Sequence, residues 1–207
     1  IIHGDSENCS YIIDECDRKV ITFGFSTFND CHPKNIHMVD GKPCFDVVYN
    51  STIIQDIQLS VYGEHNILNA LATACVAKYY GIDDDSIRQG LNSFSGASRR
   101  FEVKKYHNGA PIIDDYAHHP TEIESTLKVA SECEHNRTIC IFQPHTYTRT
   151  NAFLKDFAKA LSMADEIILT DIFAAREKNT LGISSLDLKR EIDKAIKLKN
   201  EYYGIKG

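Results

Sequence analysis

The 207-residue chain contains no C-x-x-C, no H-E-x-x-H and no G-x-x-x-x-G-K-[ST]. Each absence closes a class. Its seven cysteines, at 9, 16, 31, 44, 75, 133 and 140, are odd in number and never set at metal-knuckle spacing. Neither a zinc knuckle nor a closed disulfide framework is indicated, and the pattern reads as reduced thiols in a cytoplasmic protein. Without the Gly-rich lysine loop, nothing within these residues cradles a triphosphate by itself. No apolar run approaches the roughly 18 residues of a membrane span, and the start, I-I-H-G-D-S-E-N, lacks the charged-then-apolar order of a signal peptide. It also lacks an initiator Met, as a fragment would, although a trimmed chain would look the same. No Lys/Arg block stands out, and the net charge of −6 argues against a nucleic-acid surface. No internal repeat or low-complexity run is present.

What is there begins with an apolar fraction of 43%, enough for a real core in one large or two small domains. Residues 1 to 60 read as strands and turns: 20–24, 36–40, 43–49 after the hairpin signal Asp40-Gly41, and 52–60 after Tyr49-Asn50-Ser51. They suggest a small antiparallel sheet with one wet face. The Ala- and Leu-rich stretch 63–81 predicts a helix with Ile67, Leu71 and Ala74 inside and Gly81 as its C′ cap. A second helix follows Asp83, with Ile87, Leu91 and Phe94 at helical spacing. F-S-G-A-S then marks a boundary, giving one domain over 1–98 and another over 99–207.

From Arg99 the pattern alternates strand and helix. Ile112 and Ile113 lead into D-D-Y-A-H-H-P at 114–120; Pro120 suits a first helical position, with Thr121 and Glu124 as a capping box and Ile123, Leu127 and Ala130 inside. T-I-C-I-F-Q at 138–143 is a buried strand followed by a helix with Phe153, Phe157 and Leu161 inside. E-I-I-L-T-D-I-F at 166–173 is another strand, before a helix capped by Ser184 or Ser185 with Leu188, Ile192 and Ile196 inside. Three strand-to-helix units predict a parallel sheet, and right-handed crossovers place their loops on one edge. The loops are Asp114 to His119, His145 to Arg149, and Asp171 to Glu177.

Each loop also has a plain reading. Asp114 and Asp171 can be turn formers or caps, and His119 beside Pro120 can be an N-cap or a packed ring. Asp114, Asp115, His118 and His119 invite a metal site, but adjacent histidines in a tight turn cannot easily reach one ion. In a polar-recognition reading, Arg149 holds a carboxylate or phosphate and His118 stabilises negative charge or handles a proton. Arg99 and Arg100 are either a solvated hinge or a clamp for phosphate. His65, Asn66 and Asn69 at a helix start are either caps or amide groups for a heteroaromatic base.

These residues fall into four stretches that together resemble the Mur ligase family: G-E-H-N-I-L-N-A-L-A-T-A at 63–74, F-S-G-A-S-R-R-F-E at 94–102, D-D-Y-A-H-H-P-T-E-I at 114–123 and F-Q-P-H-T-Y-T-R-T at 142–150. The pattern is most similar to the members that join L-alanine to UDP-N-acetylmuramate. The resemblance implies an α/β chain: the carboxyl half of a P-loop-type central ATP-binding domain, then a Rossmann-like domain for the amino acid. It implies ATP and Mg2+ as cofactors, the Mg2+ ligands lying mostly outside these residues, and an acyl-phosphate route to the amide. Carried over, His65, Asn66 and Asn69 lie at adenine, Arg100 at the phosphates and Asp115 at the ribose. His118 acts at the reacting group with Tyr116 beside it, so His118, Arg100 and Asp115 form the catalytic set. His145 and Arg149 hold the carboxylate of alanine, with Arg176 as a possible helper.

One departure is Thr146, where the family pattern most firmly tied to alanine has Arg. Small-molecule partners alone are implied, without nucleic acid, with a homodimer as an open possibility. Two alternatives remain: a sibling that adds a whole tripeptide to the same sugar in peptidoglycan recycling, and a module that binds a nucleotide or anion without chemistry.

Overall fold

The computed structural model describes residues 1–202. The chain divides into two compact units, Ile1–Ser98 and Arg99–Gly207.

The first unit holds β1 (Ile2–His3), α1 (Glu7–Glu15), β2 (Thr22–Phe23), β3 (Cys31–Val39), β4 (Lys42–Tyr49), β5 (Thr52–Gln58), α2 (His65–Tyr79) and α3 (Asp84–Ser93). The five strands form one sheet in sequential order, parallel from β1 to β3 and antiparallel from β3 to β5. The β3–β4 hairpin turns on Asp40 and Gly41, whose φ angles of 50° and 74° are those a two-residue turn needs. Two irregularities interrupt the ladder, and one side chain serves both: the Asp46 carboxylate accepts from the Asn35 side chain at 2.7 Å and from the Asp56 amide at 3.1 Å.

The core lies between this sheet and α2, where Phe45, Val47, Ile54 and Ile57 meet Ile67, Leu71, Ala74 and Cys75. α2 ends as its sequence predicts. Gly81 sits at φ 76° and donates to the Lys78 carbonyl while Ile82 donates to that of Ala77, a complete Schellman motif. Asp83 caps α3 by accepting from the Ser86 amide at 2.9 Å.

Two expectations fail in this unit. Residues 7–15 form a helix within a stretch read as strands and turns, because N-C-S-Y-I-I carries no period-2 alternation to hold it in a sheet. Phe94 is not inside; it caps α3 in extended conformation and is 50% exposed.

The second unit holds β6 (Glu102–His107), β7 (Ala110–Asp114), α4 (Pro120–Glu132), β8 (Ile139–Phe142), α5 (Tyr147–Ala152), α6 (Leu154–Leu161), β9 (Glu166–Leu169) and α7 (Ser185–Tyr202). β8 and β9 pair in parallel with Ile139 opposite Glu166 and Phe142 opposite Leu169. Ile123, Leu127, Phe142, Phe157, Leu161, Leu188 and Ile192 form the core beneath them. Among the described residues no helix is long and apolar enough to cross a membrane.

The parallel-sheet expectation is corrected at its first strand. β7 pairs antiparallel with β6 in a separate two-stranded sheet, and the described parallel sheet contains β8 and β9. Asn108 and Gly109, at φ 49° and 83°, give β7 a partner two residues away in sequence. The helix after β8 is broken at Phe153, whose φ and ψ of −111° and 24° separate α5 from α6.

Candidate functional site

Within the second unit the three polar loops come together, although only two follow strands of the parallel sheet. The loop after β8 is tied to the segment after β9 by a parallel bridge between His145 and Phe173 and by the Thr146 amide donating to the Phe173 carbonyl at 2.9 Å. The loop after β7 reaches the same place through α4: the His119 ring packs edge-on against Phe153, with centroids 4.8 Å apart. As a result the His118 and His145 rings lie 6.3 Å apart.

His119 is structural, and it replaces the predicted Thr121/Glu124 box. Its Nδ1 accepts from the Thr121 amide, and the Glu122 carboxylate closes the box by accepting from the His119 amide at 3.2 Å. Pro120 stands at the first helical position, where its missing N–H is not needed.

Asp115 is held by backbone. One carboxylate oxygen accepts from the Phe101 amide at 2.8 Å and the other from the Ala117 amide at 2.7 Å. Each oxygen retains a second lone pair. This binds the 99–101 segment to the 114–117 turn, and the Tyr116 amide donates back to the Arg99 carbonyl at 2.8 Å. Arg99 stacks over the Tyr116 ring at 4.7 Å and pairs with Asp114 at 3.4 Å. Arg100 is 53% exposed and has an ion pair with Glu122 at 3.8 Å.

His118 points Nδ1 at the Tyr116 carbonyl, 2.9 Å away. A carbonyl only accepts, so the proton sits on Nδ1 and the lone pair is on Nε2. The Glu122 carboxylate lies 3.5 Å from the same Nδ1 and accepts from the His118 amide at 2.9 Å. Burial works to raise the Glu122 pKa, but the His118 amide and ring, the His119 amide and Arg100 together hold it below the ordinary carboxylate value.

Arg149 stands one turn into α5, its guanidinium 3.5 Å from His145 Nδ1. Thr146 caps this helix, its hydroxyl accepting from the Arg149 amide at 3.4 Å, at φ 67° and ψ 145°. Glu177, from the segment after β9, accepts from both the amide and the hydroxyl of Thr148. These bonds hold its pKa below the ordinary value, the Thr148 hydroxyl contributing most. Asp171 contributes its carbonyl, which accepts from the Gln143 side chain at 3.3 Å. Arg176 is exposed.

In the first unit, His65, Asn66 and Asn69 form a relay at the start of α2. The Asn66 amide nitrogen lies 2.7 Å from the Tyr62 carbonyl and 3.2 Å from His65 Nε2, and its oxygen accepts from Asn69 at 3.0 Å. Asn66 is half-buried; His65 and Asn69 are exposed.

Among the described residues no three His, Cys, Asp or Glu side chains are grouped to hold a metal ion. In the 114–119 turn Asp114 pairs with Arg99, Asp115 accepts from two amides and His119 caps α4.

Residues 1–77 match the Mur ligase middle domain, and residues 99–204 match the Mur ligase domain described as the glutamate ligase domain. The chain belongs to the Mur ligase family. Its second Mur ligase match begins at Arg99, where the second compact unit begins. UDP-N-acetylmuramate--L-alanine ligase of Agathobacter rectalis is 49% identical over 190 residues, which cover 91% of this chain and 41% of that protein. The enzyme of the same name from Clostridium novyi is 44% identical over 201 residues, 97% of this chain and 44% of that protein. The crystal structure of UDP-N-acetylmuramate-alanine ligase from Thermotoga maritima aligns with a TM-score of 0.70 at 27% identity, over 93% of this chain and 40% of that one. The chain thus spans about two-fifths of the length of the curated relatives it matches.

The residues whose contacts at the site the sequence did not disclose are Glu122, Glu177 and Phe173, the last two within the 171–177 loop that was flagged as a whole. Glu122 had a signal, since it stands three residues after His119 where a capping box expects Glu. His is outside the usual N-cap set. For Glu177 and Phe173 the partners, Thr148 and His145, lie in the loop after β8, 29 and 28 residues earlier, and no spacing rule joins them.

Proposed function

We propose that this chain is part of a cytoplasmic ATP-dependent ligase that joins L-alanine to UDP-N-acetylmuramate in peptidoglycan biosynthesis. The 49% identity to the Agathobacter rectalis ligase is the observation that carries this reading.

In this reading the muramyl carboxylate takes the γ-phosphoryl group of ATP, ADP leaves, and the amine of alanine displaces phosphate from the acyl carbon. His65, Asn66 and Asn69 serve adenine. The relay supports that role because it fixes Asn66 and ends at an exposed carboxamide, able to donate and accept. Arg100 serves the phosphates, an exposed guanidinium with one distant carboxylate partner. Asp115 serves the ribose with the lone pairs its two amide bonds leave over. Among the described residues no three His, Cys, Asp or Glu side chains are grouped to hold Mg2+, and no step here runs through it; when bound, the ion would neutralise phosphate charge.

His118 takes the proton that the alanine amine must lose. Its Nε2 lone pair suits it to accept a proton, and Glu122 beside Nδ1 favours the imidazolium that results. Tyr116 lines the approach, and His145 with Arg149 holds the alanine carboxylate. Thr146 in place of a basic residue is compatible with this, since it caps the helix that presents Arg149.

The test replaces the matching 190 residues of the Agathobacter rectalis ligase with those of this chain. The hybrid is expected to release phosphate only when ATP, UDP-N-acetylmuramate and alanine are all present. A folded hybrid that releases none, or that prefers a tripeptide to alanine, overturns the reading. The 207 residues alone, lacking a G-x-x-x-x-G-K-[ST] loop, are expected to release no phosphate.

A further inference from the structure

Among the described residues, Glu122 is a carboxylate that touches both His118 and Arg100. Its Oε2 accepts from the amides of His118 and His119 at 2.9 and 3.2 Å and lies 3.5 Å from His118 Nδ1; its Oε1 lies 3.8 Å from Arg100 Nη1. Four groups from two segments, the 99–101 stretch and the turn before α4, thus converge on one side chain. We propose that Glu122 is a positioning residue, whose negative charge fixes the His118 ring and the Arg100 guanidinium at their working places. The proposal rests on the ligase reading above for what those places are.

The plain alternative is that Glu122 only caps α4. A cap needs an acceptor oxygen and no charge, because the amides it satisfies are neutral donors. Positioning draws on the charge, because the guanidinium is a cation and because the His118 ring becomes one when its Nε2 takes the proton. Glu122→Gln separates the two: it leaves an oxygen for the amides of His118 and His119 and removes the charge. Glu122→Ala removes both.

The geometry also says which kinetic constants should move. Arg100 is the phosphate group in this reading, so loosening it acts on ATP; His118 is the proton acceptor, so loosening it acts on turnover. His145 and Arg149 contact each other, not Glu122. Alanine binding is therefore left alone.

In the active hybrid, E122Q is expected to lower the unfolding midpoint less than E122A does, since it keeps an oxygen for the two amides and loses only the charge. It is expected to lower kcat about ten-fold, as loss of a charge-assisted partner does, to raise the KM for ATP, and to leave the KM for alanine unchanged. A kcat and ATP KM for E122Q equal to those of the parent hybrid overturn the proposal. If the parent hybrid folds but is inactive, the ligase reading fails on its own. The positioning is then decided on the 207-residue chain by nitrogen relaxation of the His118 ring and the Arg100 side chain. Increased motion of both in E122Q supports it, and unchanged motion overturns it.

Discussion

Glu177 grips Thr148 twice, accepting from its amide at 3.0 Å and from its hydroxyl at 2.5 Å, and so ties the segment after β9 to the first turn of α5. That turn carries Arg149. The two bonds make the strut depend on an ionised carboxylate, since a protonated one is a weaker acceptor.

Glu177→Ala is therefore expected to raise the KM for alanine several-fold in the active hybrid while leaving the KM for ATP as it is. The pH dependence has a definite sign. The folded-state pKa of Glu177 lies below its unfolded value, so the contribution is present above the ordinary carboxylate range and is lost as pH falls through the folded pKa. Hydrogen exchange at the Thr148 amide, corrected for the intrinsic pH dependence, should lose protection in that acid window and not on going from pH 6 to pH 8. Equal protection in the wild type and Glu177→Ala at neutral pH would remove the strut.

Thr146 pays for its cap in backbone strain. At φ 67° and ψ 145° a β-branched residue costs on the order of 1–3 kcal/mol, whereas an N-cap hydroxyl stabilises by about 1 kcal/mol. Gly tolerates that backbone and is only a few tenths of a kcal/mol worse as a cap. Thr146→Gly should thus stabilise the chain by about 1 kcal/mol, and Thr146→Ala, which loses the cap and keeps the strain, should destabilise it by about 1 kcal/mol. Urea titrations of the three proteins decide it; the opposite order would mean that the cap outweighs the strain.

The β6–β7 hairpin depends on Asn108 and Gly109, both at positive φ. A Cβ added at Gly109 meets no atom within 4 Å, so the cost of Gly109→Ala is conformational alone, about 1 kcal/mol. Asp115 braces the far end of this hairpin through the Phe101 amide. The expected result is a lower urea midpoint with unchanged kcat in the hybrid, and a loss of activity larger than the loss of folded protein would show that the hairpin reaches the chemistry.

How far these features were legible depended on how local their causes are. Gly81, Asp83 and the Ile67-Leu71-Ala74 face were readable because caps and helical spacing act within a few residues. The pairing of β7 was misassigned because a strand before a helix suggests a parallel sheet, while Asn108-Gly109 supplies an antiparallel neighbour at far smaller loop entropy. At the site, the strand-end rule found the His118 and His145 loops. It flagged the 171–177 loop as a whole but could not assign partners to Glu122 or Glu177, because both accept from backbone amides, groups that every residue carries, besides the side chains they hold.

The Asn66–Asn69 bond separates a structural amide from a recognising one. Asn66 is half-buried and its nitrogen serves the Tyr62 carbonyl and His65, so Asn66→Ala removes the bonds to Tyr62 and to Asn69 together and should cost about 1–2 kcal/mol of stability. Asn69 is exposed and gives up one hydrogen bond, so Asn69→Ala should cost little stability. If Asn69 meets a heteroaromatic base, its loss removes a neutral hydrogen-bonding pair, and the KM for ATP in the hybrid should rise about ten-fold with the KM for alanine unchanged. The contrast is the test: Asn66→Ala should lower the unfolding midpoint more than Asn69→Ala does, and Asn69→Ala should weaken ATP in a fully folded protein. An Asn69→Ala hybrid that uses ATP as the parent does would take the relay out of nucleotide recognition and leave it as a brace for the start of α2.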